Sequence, residues 1–252
     1  MGAMSKLSAV IITFNEERNI QRCLDSLKEI ADEIIVVDSF STDKTESICA
    51  QYPVKFVKQQ WLGYSGQKNF ASSLATNEFI FSIDADEAPS SELIESIKKI
   101  KNNPASDIYV VKRLTNYCGK WIKHCGWYPD KKIRIWKKDA AIWEGEIHET
   151  LKLAKGLSSS ELQGDLLHYS YHSIKDHLNQ VNLYTELMAN EAVKRGKKAS
   201  LLQLFFSPIM KFIKSYFLQL GFLDGYYGFV VSTIAAQTSF YKYLKIKELN
   251  KK

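Results

Sequence analysis

Three acidic side chains, Asp84, Asp86 and Glu87, follow directly on the hydrophobic run at 79–83. Like charges at this spacing repel one another unless water solvates them or a cation lies among them. The pattern Asp84-Ala-Asp86 allows one carboxylate to ligate a divalent cation while the other reaches a ribose or a second face of the metal. Mg²⁺ and Mn²⁺ take such oxygen ligands and complete their shells with phosphate oxygens and water. The sequence therefore predicts a cation bound together with a diphosphate.

Short apolar runs alternate with helical patterns through the first half of the chain. Apolar runs of strand length lie at 7–13, 32–38 and 79–83, and residues 54–59 are predicted to form a further strand. Continuously apolar strands that alternate with helices are typical of a parallel sheet buried on both faces. Asn15 is expected to cap the first helix. Ligands bind at the carboxyl ends of such strands, so we expect Thr13, Asp38 and Asp84 to meet at one edge of the sheet.

The second half of the chain follows a different pattern. Residues 107–122 and 131–138 alternate between polar and apolar side chains, as strands do, and the pattern is helical from residue 173 onward. The predicted organisation is an α/β domain at 4–170 followed by a helical extension at 171–252.

The helical extension carries most of the positive charge. Residues 194–252 contain eleven Lys or Arg and two acids, whereas the whole chain has a net charge of +6, so the rest is mildly acidic. The apolar stretch at 207–223 has lysines along one face, and the uncharged stretch at 225–241 falls short of the ~20 residues that span a bilayer. We expect these helices to lie on an anionic membrane surface. The alternatives are packing on the first domain or a homodimer interface; nucleic acid is disfavoured because no nucleic-acid-binding motif accompanies the charge.

Four motifs follow one another in the first half: "VIITFNEERNI", "IIVVDSFSTDKT", "GYSGQKNFA" and "FIFSIDADE". Their order and separation resemble the family 2 glycosyltransferases over residues 7 to about 150. This resemblance implies the GT-A fold, an α/β fold with a Rossmann-like, mostly parallel sheet flanked by helices. It also implies that a nucleotide-sugar site is lined by Thr13, Phe14, Asn15, Glu16, Asp38, Lys68 and Asp84. Asp84 would contact ribose or metal, and Asp86 would bind Mg²⁺ or Mn²⁺.

The rest of the chain resembles a narrower branch of that family. The segments "GWYPDKKIRIWKK", "WEGEIHE", "LLHYSY" and "GFLDGYYGF" are similar to the lipopolysaccharide-core glycosyltransferases, which add β-glucose to inner-core heptose. The resemblance implies an inverting, metal-dependent hexosyltransferase that uses UDP-glucose and a lipid-linked saccharide at the inner face of the bacterial inner membrane. The alternatives are another acceptor, such as polyprenyl phosphate or a capsule chain, and a non-catalytic membrane-docked scaffold that binds nucleotide sugar.

An inverting transferase needs a carboxylate that takes the proton of the acceptor hydroxyl. The family often has Glu-Asp where this chain has His148 and Glu149. Glu149 is therefore the predicted base, with Glu146 and then Glu144 as alternatives.

Five further side chains have types that suit a sugar-nucleotide site. His168 is expected to complete the metal shell or to touch the diphosphate; the alternative is a hydrogen-bonded core histidine. Arg134 is expected to bind a phosphate or the acceptor; the alternative is a solvated charge on an edge strand. Trp127, Tyr128 and Asp130 are expected to contact the acceptor, since aromatic faces suit sugar rings, although core packing explains the aromatic pair nearly as well.

Overall fold

The computed structural model describes residues 4–145 and 149–251. The chain divides into two compact units. The first consists of Met1–Arg113 and Asp130–Tyr169, and the second of Leu114–Pro129 and Ser170–Lys252. The boundary expected at residue 170 stays a prediction of domain organisation.

The elements follow the predicted alternation in the first half of the chain. The strands are β1 (Leu7–Thr13), β2 (Glu33–Asp38), β3 (Lys55–Lys58), β4 (Phe79–Ser82), β5 (Glu87–Pro89), β6 (Ile108–Tyr117), β7 (Lys120–Ile122), β8 (Asp130–Lys137), β9 (Ala141–Glu144), β10 (Thr150–Leu153) and β11 (Ser159–Tyr171). The α-helices are α1 (Ile20–Leu27), α2 (Thr45–Cys49), α3 (Gly63–Ser73), α4 (Ser91–Asn102), α5 (Ile174–Lys194), α6 (Leu201–Ile213) and α7 (Gly225–Leu249).

The main sheet has the order β3-β2-β1-β4-β8-β6-β11-β5. Strand β1 is parallel to β2 and β4, and β2 is parallel to β3. Strand β8 then pairs antiparallel with both β4 and β6. Strands β9 and β10 form a separate antiparallel hairpin. The predicted α/β fold with a parallel core flanked by helices is confirmed.

Both faces of the parallel core are covered, which is why its strands are apolar throughout. One face, including Ile11 and Phe81, packs against α1 and α4. The opposite face, including Val10 and Ile80, packs against α3 and Trp136. Each such side chain removed from water contributes roughly 1.5–3 kcal/mol, so the polar residues at the strand ends are held by a rigid, well-packed support.

The first helix begins later than predicted. Asn15 does not cap it; the helix starts at Ile20, and Asn19 precedes it as the N-cap residue. The carbonyl of Glu16 accepts hydrogen bonds from the backbone amides of Asn19 and Ile20, so a turn intervenes between strand and helix. Asn15 has a left-handed backbone with φ of 55°, which asparagine tolerates better than most residues.

The second unit is built on three helices and the short hairpin partner β7. Helix α7 packs against both α5 and α6. The aromatic core of this second unit contains Tyr117, Trp127, Tyr171, His177 and Tyr227. Between residues 4 and 251, outside the gap at 146–148, no helix is both long and apolar enough to cross a bilayer.

Candidate active site

The carboxyl ends of β1 and β2 lie side by side, because Thr13 and Asp38 are partners in the parallel register. The fully buried Asp38 carboxylate accepts hydrogen bonds from the amide and hydroxyl of Ser41. That hydroxyl in turn accepts from the backbone amide of Asn15 at 2.8 Å. The two loops that follow β1 and β2 are therefore tied into one surface at the predicted edge of the sheet.

Two features of this edge are suited to a ligand. The buried hydroxyl of Thr13 has no hydrogen-bond partner within the described chain. An unsatisfied buried polar group costs about 1–3 kcal/mol, which a bound polar group would remove. The ring of Phe14 beside it is more than half exposed and offers a flat face to solvent.

Glu16 lies in the loop that follows β1, and the pKa of its carboxyl is shifted. Burial raises its pKa to about 7, the hydrogen bond from Asn19 opposes the shift, and the negative charges of Asp86 and Asp43 add to it. The carboxyl of Glu16 therefore holds its proton up to near-neutral pH in the protein without ligands.

The charge on Asp84 is balanced by two cationic side chains. Its carboxylate lies 2.8 Å from the guanidinium of Arg134 and 3.2 Å from the ammonium of Lys68. Burial alone would raise the pKa of Asp84, but Arg134 and Lys68 outweigh burial and hold it well below the usual range. Repulsion within the acidic cluster is thus relieved in part by the chain itself.

Glu87 is the buried member of the acidic cluster. Its side chain is fully buried, lies 2.5 Å from Arg134 and accepts a hydrogen bond from the backbone amide of Asp84 at 3.0 Å. Burial raises the pKa of Glu87, while Arg134 opposes that shift. Arg134 therefore lies between two carboxylates. The alternative of a solvated edge-strand charge is wrong for Arg134, which is only 3% exposed on β8, between β4 and β6.

Asp86 and His168 form a separate pair. The carboxylate of Asp86 lies 3.1 Å from Nε2 of His168, which is placed by pairing of β11 with β5. Burial lowers the pKa of His168, but Asp86 more than compensates, and the net shift is upward. Within residues 4–145 and 149–251, no group of three or more His, Cys, Asp or Glu is arranged to hold a metal. One carboxylate and one imidazole side by side suit a divalent ion that takes its remaining ligands from phosphate and water.

The predicted base lies next to the acidic cluster. Glu149 is partly exposed, and its carboxylate is 3.3 Å from Lys68, the same ammonium that contacts Asp84. Lys68 therefore bridges the strand-end acid and the candidate base. Glu144, on β9, is half exposed and paired with Lys152. Glu146 and His148 lie outside the described residues.

Helix α3 holds strand β9 of the hairpin to which Glu149 belongs, since Glu149 directly precedes the partner strand β10. The side-chain amide of Asn69 donates to the carbonyl of Trp143 at 2.8 Å and accepts from its amide at 2.9 Å, which imitates a strand pairing. The ammonium of Lys68 lies 4.7 Å from the centre of the Trp143 ring. Ser65 donates to the carbonyl of Gly145. Sequence reasoning missed Asn69, although it lies within the motif GYSGQKNFA, and it named Glu87 as a member of the acidic cluster without predicting its buried pairing with Arg134.

The residues predicted to contact the acceptor fall into different parts of the chain. Trp127 and Tyr128 belong to the second unit, where the Trp127 ring packs 5.9 Å from that of Tyr117. Asp130 belongs to the first unit, where it forms an ion pair with Arg113 at 2.7 Å. Their shared role at an acceptor site stays a prediction.

Comparison with known proteins gives the class of this chain. The family model described as "Glycosyl transferase family 2" matches residues 8–151, more than half of the sequence. The chain therefore belongs to family 2 of the glycosyltransferases.

Two relatives align with almost the whole chain. An uncharacterized glycosyltransferase of Rickettsia typhi is 37% identical, covering 99% of this chain and 89% of the relative. The lipopolysaccharide core biosynthesis glycosyltransferase LpsC of Rhizobium meliloti is 30% identical, covering 95% of this chain and 91% of the relative. Among solved structures, S. aureus TarS 1–349 in complex with UDP-GlcNAc covers 98% of this chain and 91% of that chain, with 16% identity and a TM-score of 0.47.

Proposed function

We propose that this enzyme transfers a hexose, glucose, from a UDP-sugar to a saccharide acceptor with inversion at the anomeric carbon. Membership of family 2 supports glycosyl transfer. The observation that carries the rest is the position of Lys68, which contacts Asp84 on one side and Glu149 on the other. The proposed donor-binding acid and the proposed base thus lie on either side of one cation, which supports the view that donor and acceptor are bound next to one another.

The donor site in this proposal is the joined edge of β1, β2 and β4. Its residues are Thr13, Phe14, Asn15, Glu16, Asp38, Lys68 and Asp84. The unpartnered hydroxyl of Thr13 supplies a hydrogen bond, and the exposed ring of Phe14 supplies a stacking face for the uracil. Arg134 orients Asp84 in this proposal through its contacts with Asp84 and Glu87. Its predicted contact with a phosphate or the acceptor stays a prediction.

Asp86 and His168 would hold Mg²⁺ or Mn²⁺, and Asp84 lies close enough in sequence to assist. A divalent ion at this position supplies charge that stabilises the departing diphosphate. Calorimetry of UDP binding tests this assignment. An affinity for UDP that is unchanged both by EDTA and by Asp86→Ala would contradict it.

Glu149 removes the proton from the acceptor hydroxyl in the proposed reaction. The acceptor oxygen then forms a bond to the anomeric carbon from the face opposite the leaving group, the bond from that carbon to the diphosphate oxygen breaks, and UDP leaves. Lys68 orients Glu149 before the acceptor binds, and the paired backbone contacts of Asn69 hold the hairpin that carries it.

The proposed acceptor is a lipid-linked saccharide, specifically inner-core heptose of lipopolysaccharide, used at the inner face of the bacterial inner membrane. The full-length similarity to LpsC, a protein named for lipopolysaccharide core biosynthesis, supports this choice. The basic, aromatic helices of the second unit support work at an anionic surface. Trp127, Tyr128 and Asp130 are the proposed acceptor contacts.

The test is UDP release measured over a panel of UDP-sugars with purified lipid-linked core saccharide. Glu149→Gln preserves shape and removes the proton acceptor, so turnover should fall at least about 10²-fold while donor binding stays unchanged. Glu144→Gln is the matched control, since Glu144 is a half-exposed glutamate of the same hairpin, and it should keep turnover within about twofold. Full activity of Glu149→Gln would move the base elsewhere, and absence of acceptor-dependent UDP release with every donor would favour a binding scaffold.

A further inference from the structure

The second unit exposes a continuous set of large apolar side chains that neither the donor site nor the proposed base explains. We call it the apolar ridge. It consists of α6, the connection that follows it and the first turns of α7. Its members are Leu201, Leu202, Phe205, Phe206, Ile209, Met210, Ile213, Phe217, Leu218, Leu220, Phe222, Leu223, Tyr226 and Phe229.

Helix α6 is unusual for a surface helix, because Leu204 alone among its residues is buried. A surface helix normally buries one apolar stripe and presents polar residues on the other side. Here the outward side is apolar as well, with Phe205 and Phe206 both about 60% exposed. An exposed apolar surface of this extent indicates a binding site for a protein or a lipid phase.

The connection after α6 extends the ridge. The helix widens into a π-helical turn at Lys214–Leu218 and continues through a 3₁₀ turn at Gly221–Asp224. Leu218, which is 73% exposed, and the neighbouring Leu220, Phe222 and Leu223 project from this connection. The hydroxyl of Ser215 in the same stretch faces inward instead, where it is buried and bonds to the hydroxyl of Ser232.

The charges on and beside the ridge have one sign. Lys211 and Lys214 are exposed within it, and four basic residues lie at 194–198, just before α6. The sequence has no acid from 192 to 223. The first acid that follows, Asp224, is buried and paired with His124 at 2.9 Å. Of the basic residues at 194–198, Arg195 is paired with Glu191. The ridge and its flanks are therefore cationic overall, and every exposed charge between residues 192 and 223 is positive.

We infer that the apolar ridge inserts into one leaflet of a bilayer that contains anionic lipids, with α6 parallel to the membrane plane. A helix of 13 residues is about 20 Å long, short of the ~30 Å hydrocarbon core, so α6 fits the interface and does not cross it. Lysine side chains at the edge of an inserted helix extend to the headgroups while their stems stay on the apolar surface. The inference rests on the proposed function and deepens it, because the inserted ridge would hold the enzyme at the membrane in which a lipid-linked acceptor is embedded.

A second copy of the chain fits the ridge less well. In a two-fold symmetric dimer the same patch meets itself, so Lys211 and Lys214 of the two copies would approach one another. Residues 192–223 contain no acid, so this segment of the partner copy would offer the two lysines no opposite charge. Anionic lipid headgroups provide the partner that a dimer lacks.

The experiment measures co-sedimentation of the full chain with phosphatidylcholine vesicles, with and without phosphatidylglycerol. The wild type should bind the anionic vesicles. Phe205→Ser with Phe206→Ser should weaken binding at least about tenfold. Lys211→Gln with Lys214→Gln should weaken it roughly 10–30-fold and reduce the preference for phosphatidylglycerol. Leu178→Ser with Leu183→Ser is the matched control, because these are exposed leucines of α5 outside the ridge, and it should bind like the wild type.

A second readout reports on insertion directly. Leu218→Trp should gain fluorescence quenching by brominated lipids beyond that of the wild type, because residue 218 would lie among acyl chains. UDP binding is measured for every variant, so that loss of membrane binding is distinguished from loss of the donor site or of the fold. Wild-type protein that binds neither kind of vesicle would overturn the inference. So would a dimer, seen by light scattering, that the Phe205 and Phe206 double variant dissociates, since the ridge would then be an interface between copies.

Discussion

Asp84 illustrates how the acidic cluster is stabilised at the scale of single residues. A charge buried in a protein is tolerated when an opposite charge and hydrogen bonds accompany it. Asp84 has Lys68 and Arg134, Glu87 has Arg134 and Arg113, and Asp86 has His168. Asp84 and Glu87 thus share the guanidinium of Arg134 and each contacts a further cation, whereas Asp86 contacts an imidazole. This difference is why Asp86 and His168 are the proposed site for an added cation.

Arg134 holds two of these acids, so its removal should destabilise the protein. Arg134→Met keeps most of the volume but leaves Asp84 and Glu87 without their shared partner. Breaking a buried pair from one side costs about 3–5 kcal/mol, and urea denaturation should report a loss of that size. Adding Glu87→Gln to the same variant removes one unpaired charge and should restore part of the stability. A change below about 1 kcal/mol in Arg134→Met would show that the buried pairs are not coupled in this way.

Glu16 predicts a pH dependence of stability in the protein without ligands. Its pKa is about 7 in the folded chain, above the ordinary 4.5, so the folded state binds more protons between these two values. Stability should therefore fall as pH rises from about 4.5 to 7 on account of this group. Glu16→Gln removes the charge and should stabilise the protein at pH 8 by on the order of 1–3 kcal/mol, but hardly at pH 4.

Thermal denaturation at the two pH values measures this difference. Glu17→Gln is the matched control, because Glu17 is the exposed neighbour of Glu16 on the same turn. The control should change stability by a similar small amount at both pH values. An equal effect of Glu16→Gln at pH 4 and pH 8 would mean that burial of Glu16 imposes no charge penalty.

The elements of the first unit were largely predictable, and the contacts between them were not. Continuous apolar runs identified β1, β2 and β4, because a strand covered on both faces has few polar positions. The site edge followed from the parallel arrangement, and Thr13 and Asp38 do lie in register there. The buried pairing of Arg134 with Glu87 could not be predicted, because the two are separated by 47 residues and each alone resembles a surface charge.

The position of the β9–β10 hairpin could not be predicted from the sequence either. Its position depends on Asn69, whose amide replaces a strand partner for Trp143. An asparagine within a helical pattern gives no sign of such a contact, since most helical asparagines face solvent. The start of α1 was also misplaced, because Glu16 forms a turn that competes with capping by Asn15.

Asn69→Ala should release the hairpin from α3 and thereby misplace Glu149. We expect kcat to fall about tenfold or more with little change in the KM for the UDP-sugar, because the donor residues are untouched. Ser73→Ala on the same helix is the control, since its hydroxyl donates to the carbonyl of Phe70 in the preceding turn. Steady-state kinetics of both variants measure kcat and KM separately. A rise in KM with kcat intact would instead place Asn69 at the donor site.

At the scale of the whole molecule, the uneven charge distribution predicts how membrane binding depends on salt. The eleven basic residues at 194–252 lie in the same segment as the apolar ridge. Their attraction to anionic lipids is screened as the Debye length falls from ~10 Å at 0.1 M salt to ~3 Å at 1 M, whereas burial of apolar side chains is not screened. High salt should therefore weaken binding to anionic vesicles without abolishing it, and detergent should release the protein completely. Vesicles of phosphatidylcholine alone carry no net charge, so they should bind the protein weakly and almost independently of salt. Complete release by 1 M salt would show that the ridge contributes no insertion and that charge alone holds the protein at the surface.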